Sequence, residues 1–117
     1  MTWFIGMVKC WLHYGVPKMI MVIFEFKVKP GQEKAYFAFA EAMQPIVKKI
    51  DGFLGVERYQ SCVDTNKFVS VSTWRDEAAV RAWRAQPNHQ EAQESGKKEI
   101  FESFTIRVAD VIRETIV

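Results

Sequence analysis

No uninterrupted apolar run in this sequence approaches the roughly 18–20 residues that a bilayer-spanning helix needs, so no membrane partner is expected. An excess of one charge is missing as well. Sixteen basic side chains stand against 14 acidic ones, a formal balance of +2, and the two signs are interleaved rather than clustered. That argues against the basic stripe by which a protein holds nucleic acid. Cysteine and histidine are scarce, two of each. With no CxxC and no HxxH spacing there is no metal constellation, and a metal hydrolase is not expected. Cys10 and Cys62 read as free thiols of a cytoplasmic protein, and Cys62, without a basic neighbour to lower its pKa, as structural. There is no phosphate loop and no GxGxxG, which argues against a nucleotide cofactor bound in the usual way.

What is present suffices for a single small domain. The chain has 117 residues, 49% of them hydrophobic, with nine Phe and four Trp, enough for a real if modest core. Residues 1–18 (MTWFIGMVKCWLHYGVPK) are apolar and aromatic. Their first basic residue comes late and no small-residue cleavage site follows, so a secretory signal is not expected. They read either as an arm on the domain or on a partner subunit, or as an upstream extension, with the domain itself spanning 19–117.

Ile20 to Lys29 alternates Ile20, Val22, Phe24, Phe26 and Val28 on one face with Met21, Ile23, Glu25, Lys27 and Lys29 on the other, a strand with helices expected over its apolar face. Pro30-Gly31 turns into a helix from about Gln32 to Lys49. Its predicted stripe is Ala35, Phe39, Met43, Ile46 and Ile50, with a kink or unwinding expected at Pro45. Lys48 and Lys49 suit the helix C-terminus, and Asp51-Gly52 closes it. Phe53 to Cys62 reads as a strand weakened by Gly55, and Val63 to Asn66 as a hairpin connection into the next strand.

The stretch FVSVSTWRDEAAVRAWRAQPNHQEAQESG, from Phe68 to Gly96, organises the rest. Val69, Val71 and Thr73 alternate with Ser70, Ser72 and Trp74, which sends the two sets to opposite faces of a sheet. Asp76 stands where a helix N-cap belongs. Ala79, Val80 and Trp83 follow at helical spacing until Pro87 stops the helix. Asn88 is placed to cap a second short helix, His89 to Ser95, that Gly96 would end. Ile100 to Val117 is β-branched and alternating at first and reads as a final strand, with a helix over its end as the competitor.

The order is strand, helix, strand, strand, helix pair, strand. That predicts an α+β, ferredoxin-like split βαβ fold, with a four-stranded antiparallel sheet and helices on one face. The uncovered sheet face is only half polar. Two such sheets packed face to face would bury it, so a homodimer is expected.

With these elements in place, the sequence resembles the antibiotic biosynthesis monooxygenase family of dimeric α+β barrels. The residues that carry the resemblance are Pro30-Gly31 after the first strand, Asp51-Gly52-Phe53-Leu54-Gly55, and Ser72-Thr73-Trp74-Arg75-Asp76-Glu77. The run Ala82-Trp83-Arg84 through Pro87-Asn88-His89 to Ala92-Gln93 and Gly96 also matches, as does the final strand from Phe101 to Val111. The resemblance covers nearly everything from Met19 onward. It implies oxygen insertion into a small aromatic, quinol or polyketide-like substrate without metal or flavin. A related haem-degrading branch carries Asn, Trp and His where this chain has Phe24, Trp83 and Gln93. Only the Trp matches, since Phe24 cannot hydrogen-bond a distal ligand and Gln93 is a poor iron ligand.

The candidate catalytic residues are therefore His89 and Trp83, with Phe24, Phe39, Ser72, Trp74 and Gln93 as candidate substrate-binding residues. Trp83 lies on an apolar helical stripe and serves equally as core or as a stacking wall. His89 is a possible proton acceptor, and also an ordinary helix-start residue. Ser70 joins Ser72 on the Trp74 face. Arg58 and Arg107 are candidates for an acidic substrate group, with surface ion pairs as their ordinary role. Three functions follow, in this order: a cofactor-independent monooxygenase on a small aromatic ligand, a non-enzymatic ligand-binding or stress-linked dimer, and a haem-binding or haem-degrading protein. A filled core with no cavity would distinguish the second.

Overall fold

The computed structural model describes residues 19–117, apart from the side chains at 92 and 95–98. The arm expected over 1–18, with Cys10, lies outside the described residues. The elements are β1 (Ile20–Val28), α1 (Glu33–Val47), β2 (Phe53–Gln60), β3 (Lys67–Trp74), α2 (Glu77–Ala85), α3 (Pro87–Glu99) and β4 (Phe101–Asp110). All strand pairs are antiparallel, in the order β2-β3-β1-β4. The helices pack on one face, as the sequence predicts. No described helix is long and apolar enough to cross a membrane.

The strand register follows from the alternation. Phe24 stands between Ser70 on β3 and Ile106 on β4, and Phe26 between Phe68 and Phe104. All six side chains thus point to the helix side. Gly55 marks an irregularity in β2, where the register against β3 shifts between Phe53 and Gly55. Gly52 is held at φ +98, and a Cβ there would lie 2.6 Å from that of Ala79. The turn must therefore be glycine both for its backbone angle and for the approach of α2. Arg75 fixes the same corner: it donates to both oxygens of Asp51, at 3.1 and 3.2 Å, and to Asp76 at 3.1 Å.

Four local expectations are corrected. On α1 the buried residues are Tyr36, Ala40 and Val47, and Ala35 is exposed. The two candidate rows are neighbours on the helix surface, and burying the Tyr36 ring removes far more apolar area from water than burying Ala35. The helix also runs unbroken through Pro45. That residue stands in the last turn, where the missing N–H gives up a single ladder bond. In α3, Asn88 is not the cap and Gly96 is not the end. Pro87 takes the first helical position, which its fixed φ suits, and the helix continues to Glu99. A mid-helix glycine costs only about 1 kcal/mol, which neighbouring turns outweigh. Finally, β4 stops at Asp110, and 111–117 have no regular structure.

The core is split. One cluster gathers Phe26, Val28, Tyr36, Ala40, Phe68, Ile100 and Phe101, and the other Ile20, Val47, Trp74, Ala79 and Val80. The helix-side face of β3 explains the division. It reads Phe68, Ser70, Ser72, Trp74, large side chains at the ends and small hydroxyls between, so the middle of the sheet lacks the volume to meet α1.

Candidate functional site

The gap between the two clusters is a cavity of about 500 Å³. Its floor is β1 and β3, through Val22, Phe24, Ser70, Ser72 and Trp74. One wall is α1, through Tyr36, Phe39 and Met43, and another is the α2–α3 corner, through Trp83, Arg84, His89 and Gln93. Phe104, Ile106 and Val108 of the edge strand β4 are 38%, 43% and 47% exposed and also line it. The cavity thus opens towards that edge.

A row of three rings occupies one end. Trp74 is 1% exposed. Its Nε1–H donates to Ser72 Oγ at 2.9 Å, and its ring meets Phe53 edge-on at 5.2 Å. Trp83 lies 6.5 Å from Trp74 and nearly parallel to it, and the His89 ring stacks on Trp83 at 4.1 Å with 19° between planes. Local chemistry builds this corner. Asp76 caps α2 by accepting from the Ala79 N–H. Gln86 precedes proline and is extended, at ψ 124, as the proline ring demands. Its side-chain oxygen then accepts from the His89 N–H at 2.9 Å, which caps α3 and sets His89 beneath Trp83.

His89 Nδ1 lies 3.1 Å from the Trp83 carbonyl oxygen. A carbonyl only accepts, so Nδ1 carries the proton and a neutral ring leaves Nε2 as a lone-pair acceptor. Burial pushes the His89 pKa below the ordinary histidine value. The Trp83 carbonyl opposes that shift and the Arg84 charge adds to it. A neutral imidazole at pH 7 follows.

All seven candidates named from the sequence, Phe24, Phe39, Ser72, Trp74, Trp83, His89 and Gln93, line this one cavity. They are not equivalent. Ser72 is engaged by Trp74, and Phe24 packs into an aromatic group with Phe26, Phe101 and Phe104 at 4.8 to 5.7 Å. Sequence reasoning missed Tyr36, because it chose the neighbouring row on α1. From the sequence Arg58 is a candidate for an acidic substrate group, with a surface ion pair as its ordinary role; among the described residues it makes no ion pair and lines the cavity. Arg107 does pair, with Glu25 at 2.7 Å on the opposite sheet face. Cys62, read as structural, is exposed on the β2–β3 loop.

The sequence profile of the antibiotic biosynthesis monooxygenase family matches residues 19–95. A jasmonate monooxygenase of Pyricularia oryzae is 37% identical over 93 residues, covering 80% of this chain and 43% of that protein. This chain therefore spans less than half the length of that relative. An uncharacterised protein of Bacillus subtilis, YqjZ, is 34% identical over 100 residues, covering 86% of this chain and 85% of its own. Among solved structures, SnoaB of Streptomyces nogalater, a cofactor-independent oxygenase, superposes with a TM-score of 0.73 over 85% of this chain and 97% of its own, at 16% identity. That likeness speaks to the fold. The profile match and the two relatives go further, and the chain belongs to the antibiotic biosynthesis monooxygenase family.

Proposed function

We propose that the protein is a cofactor-independent monooxygenase acting on a small aromatic, quinol or polyketide-like substrate in the cavity between sheet and helices. The observation that carries this reading is the pairing of a neutral His89, its Nε2 free to accept, with the stacked Trp83 at the wall of a largely apolar cavity. An electron-rich phenol or quinol, once deprotonated, can reduce oxygen itself. The protein then need supply only a dry pocket, a stacking surface and a proton acceptor. His89 takes the substrate proton, and Trp83, Phe24 and Phe39 hold the ring. One oxygen atom ends on the substrate carbon and the other leaves as water with two substrate hydrogens, so no external reductant is required. The oxygenase activities named for the Pyricularia relative and for SnoaB support this reading.

The competing readings lose ground on specific residues. The mark expected of a non-enzymatic ligand-binding or stress-linked dimer is a filled core, whereas this core is divided by a cavity of about 500 Å³. A haem site is disfavoured by Phe24, which offers no hydrogen bond, by the amide of Gln93, and by a His89 ring stacked against Trp83. Oxygen uptake with a panel of quinols and anthrone-like phenols, run beside a haem titration, tests the proposal. Substrate-dependent uptake by metal-free protein is expected. A saturable Soret shift lost in His89→Ala, with no uptake, would replace it by haem binding.

We also propose a homodimer through the helix-free sheet face, where Met21, Ile23, Val69 and Val71 are only partly buried beside the Glu25–Arg107 pair. Light scattering should give twice the chain mass of 13.6 kDa. A stable monomer at micromolar concentration would overturn it.

A further inference from the structure

The end of the cavity away from the Trp83–His89 stack has a different chemistry. Arg58 on β2 and Ser70 on β3 are directly opposed in the strand register and face the helix side together. Tyr36 of α1 comes down beside them. It is 3% exposed, and its ring lies 6.0 Å from Phe68, the next residue on that face of β3. None of these three side chains makes a hydrogen bond or ion pair with another described residue. A phenolic hydroxyl buried this deeply normally finds a partner, because an unpaired one forfeits its hydration. Burial pushes the Tyr36 pKa up to about 12, and the nearby Arg58 charge works against that shift. The hydroxyl is thus protonated at pH 7 and able to donate. The other ionisable residues lining the cavity are Arg84 and His89, and no carboxylate is among the described lining residues. The site offers donors and positive charge at one end of a largely apolar cavity, with Arg58 exposed at its rim and no carboxylate among the described lining residues.

We propose that Arg58, Tyr36 and Ser70 form a carboxylate-binding end of the cavity, so that the ligand is a flat, mostly apolar molecule bearing one carboxylate. The planar guanidinium fork of Arg58 matches the two carboxylate oxygens, and the two hydroxyls donate to the lone pairs that remain. The ring system then extends over Phe24 towards Trp83 and His89. This names the substrate class of the proposed oxygenase and rests on the cavity being its substrate site.

The test is calorimetric titration at pH 7 with 2-naphthoate and its neutral counterpart 2-naphthamide. The wild-type protein should bind the acid at least about ten-fold more tightly, the scale of a charge-assisted hydrogen bond. Arg58→Gln should bring the two within about two-fold, chiefly by weakening the acid, and Tyr36→Phe should reduce the preference several-fold. Arg84→Gln should keep it. Thermal melts of the variants serve as the folding control, and Arg58 is exposed enough to be replaced without loss of the fold. Equal binding of acid and amide by the wild type would overturn the carboxylate site and leave the oxygenase reading standing. A preference lost in Arg84→Gln but kept in Arg58→Gln would also overturn it. Failure of both probes to bind would sink the site and the cavity reading together. An intact, Arg58-dependent preference in a protein that shows no oxygen uptake would keep the site and overturn the oxygenase.

Discussion

Trp74→Ala is expected to lower the unfolding free energy by about 3–5 kcal/mol, the range for deleting a large aromatic from a core. Urea denaturation of the wild type and the variant is the measurement. Trp74 is one of the largest side chains under 2% exposed, and it joins the Phe53 ring on β2 to the Trp83 ring on α2. Its removal leaves a void that Ser72, small and polar, cannot fill, and it takes away the indole N–H that Ser72 accepts from. Trp74→Phe should recover most of the loss, since it restores the ring but not the hydrogen bond. A Trp74→Ala protein as stable as the wild type would mean that the second core cluster contributes little to folding. On a domain of this size a shift of that order moves the melting temperature by well over ten degrees.

His89→Ala is expected to reduce kcat by about 10²–10⁴-fold, the usual contribution of a positioned general base, with a smaller change in KM. The pH dependence carries the more specific signature. Burial lowers the His89 pKa, so the wild-type kcat/KM should fall on the acid side through an apparent value below the ordinary one for histidine, and the variant should lack that limb. The same shift has a consequence for stability. The unfolded chain binds the His89 proton more readily than the folded one, so unfolding gains protons as the pH falls. The stabilisation is fully present above the ordinary histidine value and is lost as the pH drops through the depressed one. An acid limb that persists unchanged in His89→Ala would assign the proton acceptor to another group.

Much of the fold was legible because it follows from period alone. The alternation in Ile20 to Val28 and in Phe68 to Trp74, the Asp76 cap and the stop at Pro87 each depend on a residue and its immediate neighbours. The resemblance to the family rests on segments spread from Met19 onward, and the profile match over 19–95 agrees with it. The candidate site was legible in part for the same reason. Trp83, His89 and Gln93 lie on one short run of chain, and Ser72 and Trp74 share one strand face. What escaped were the positions whose meaning depends on an element distant in sequence. Tyr36 and Ala35 lie on adjacent rows of α1, and only the place where the helix settles on the sheet selects one. Arg58 and Arg107 are equal candidates in the sequence for an acidic substrate group, and only the seating of β2 beside β3 with α1 across both separates the cavity-lining Arg58 from Arg107, paired with Glu25.

The sequence by itself determined the order of the elements, the faces of the strands and the chemistry available to a site, because side-chain alternation, capping and proline geometry act over a few residues. It also held the cause of the cavity, in the two serines between Phe68 and Trp74. The tertiary structure decided that those serines lie under α1 rather than under solvent. It stacked His89 on Trp83 through the Gln86 cap, and it left Arg58 and Tyr36 lining the same cavity with no carboxylate among its described lining residues. The register of three strands and the seating of one helix set those relations, and both are fixed by packing between segments tens of residues apart.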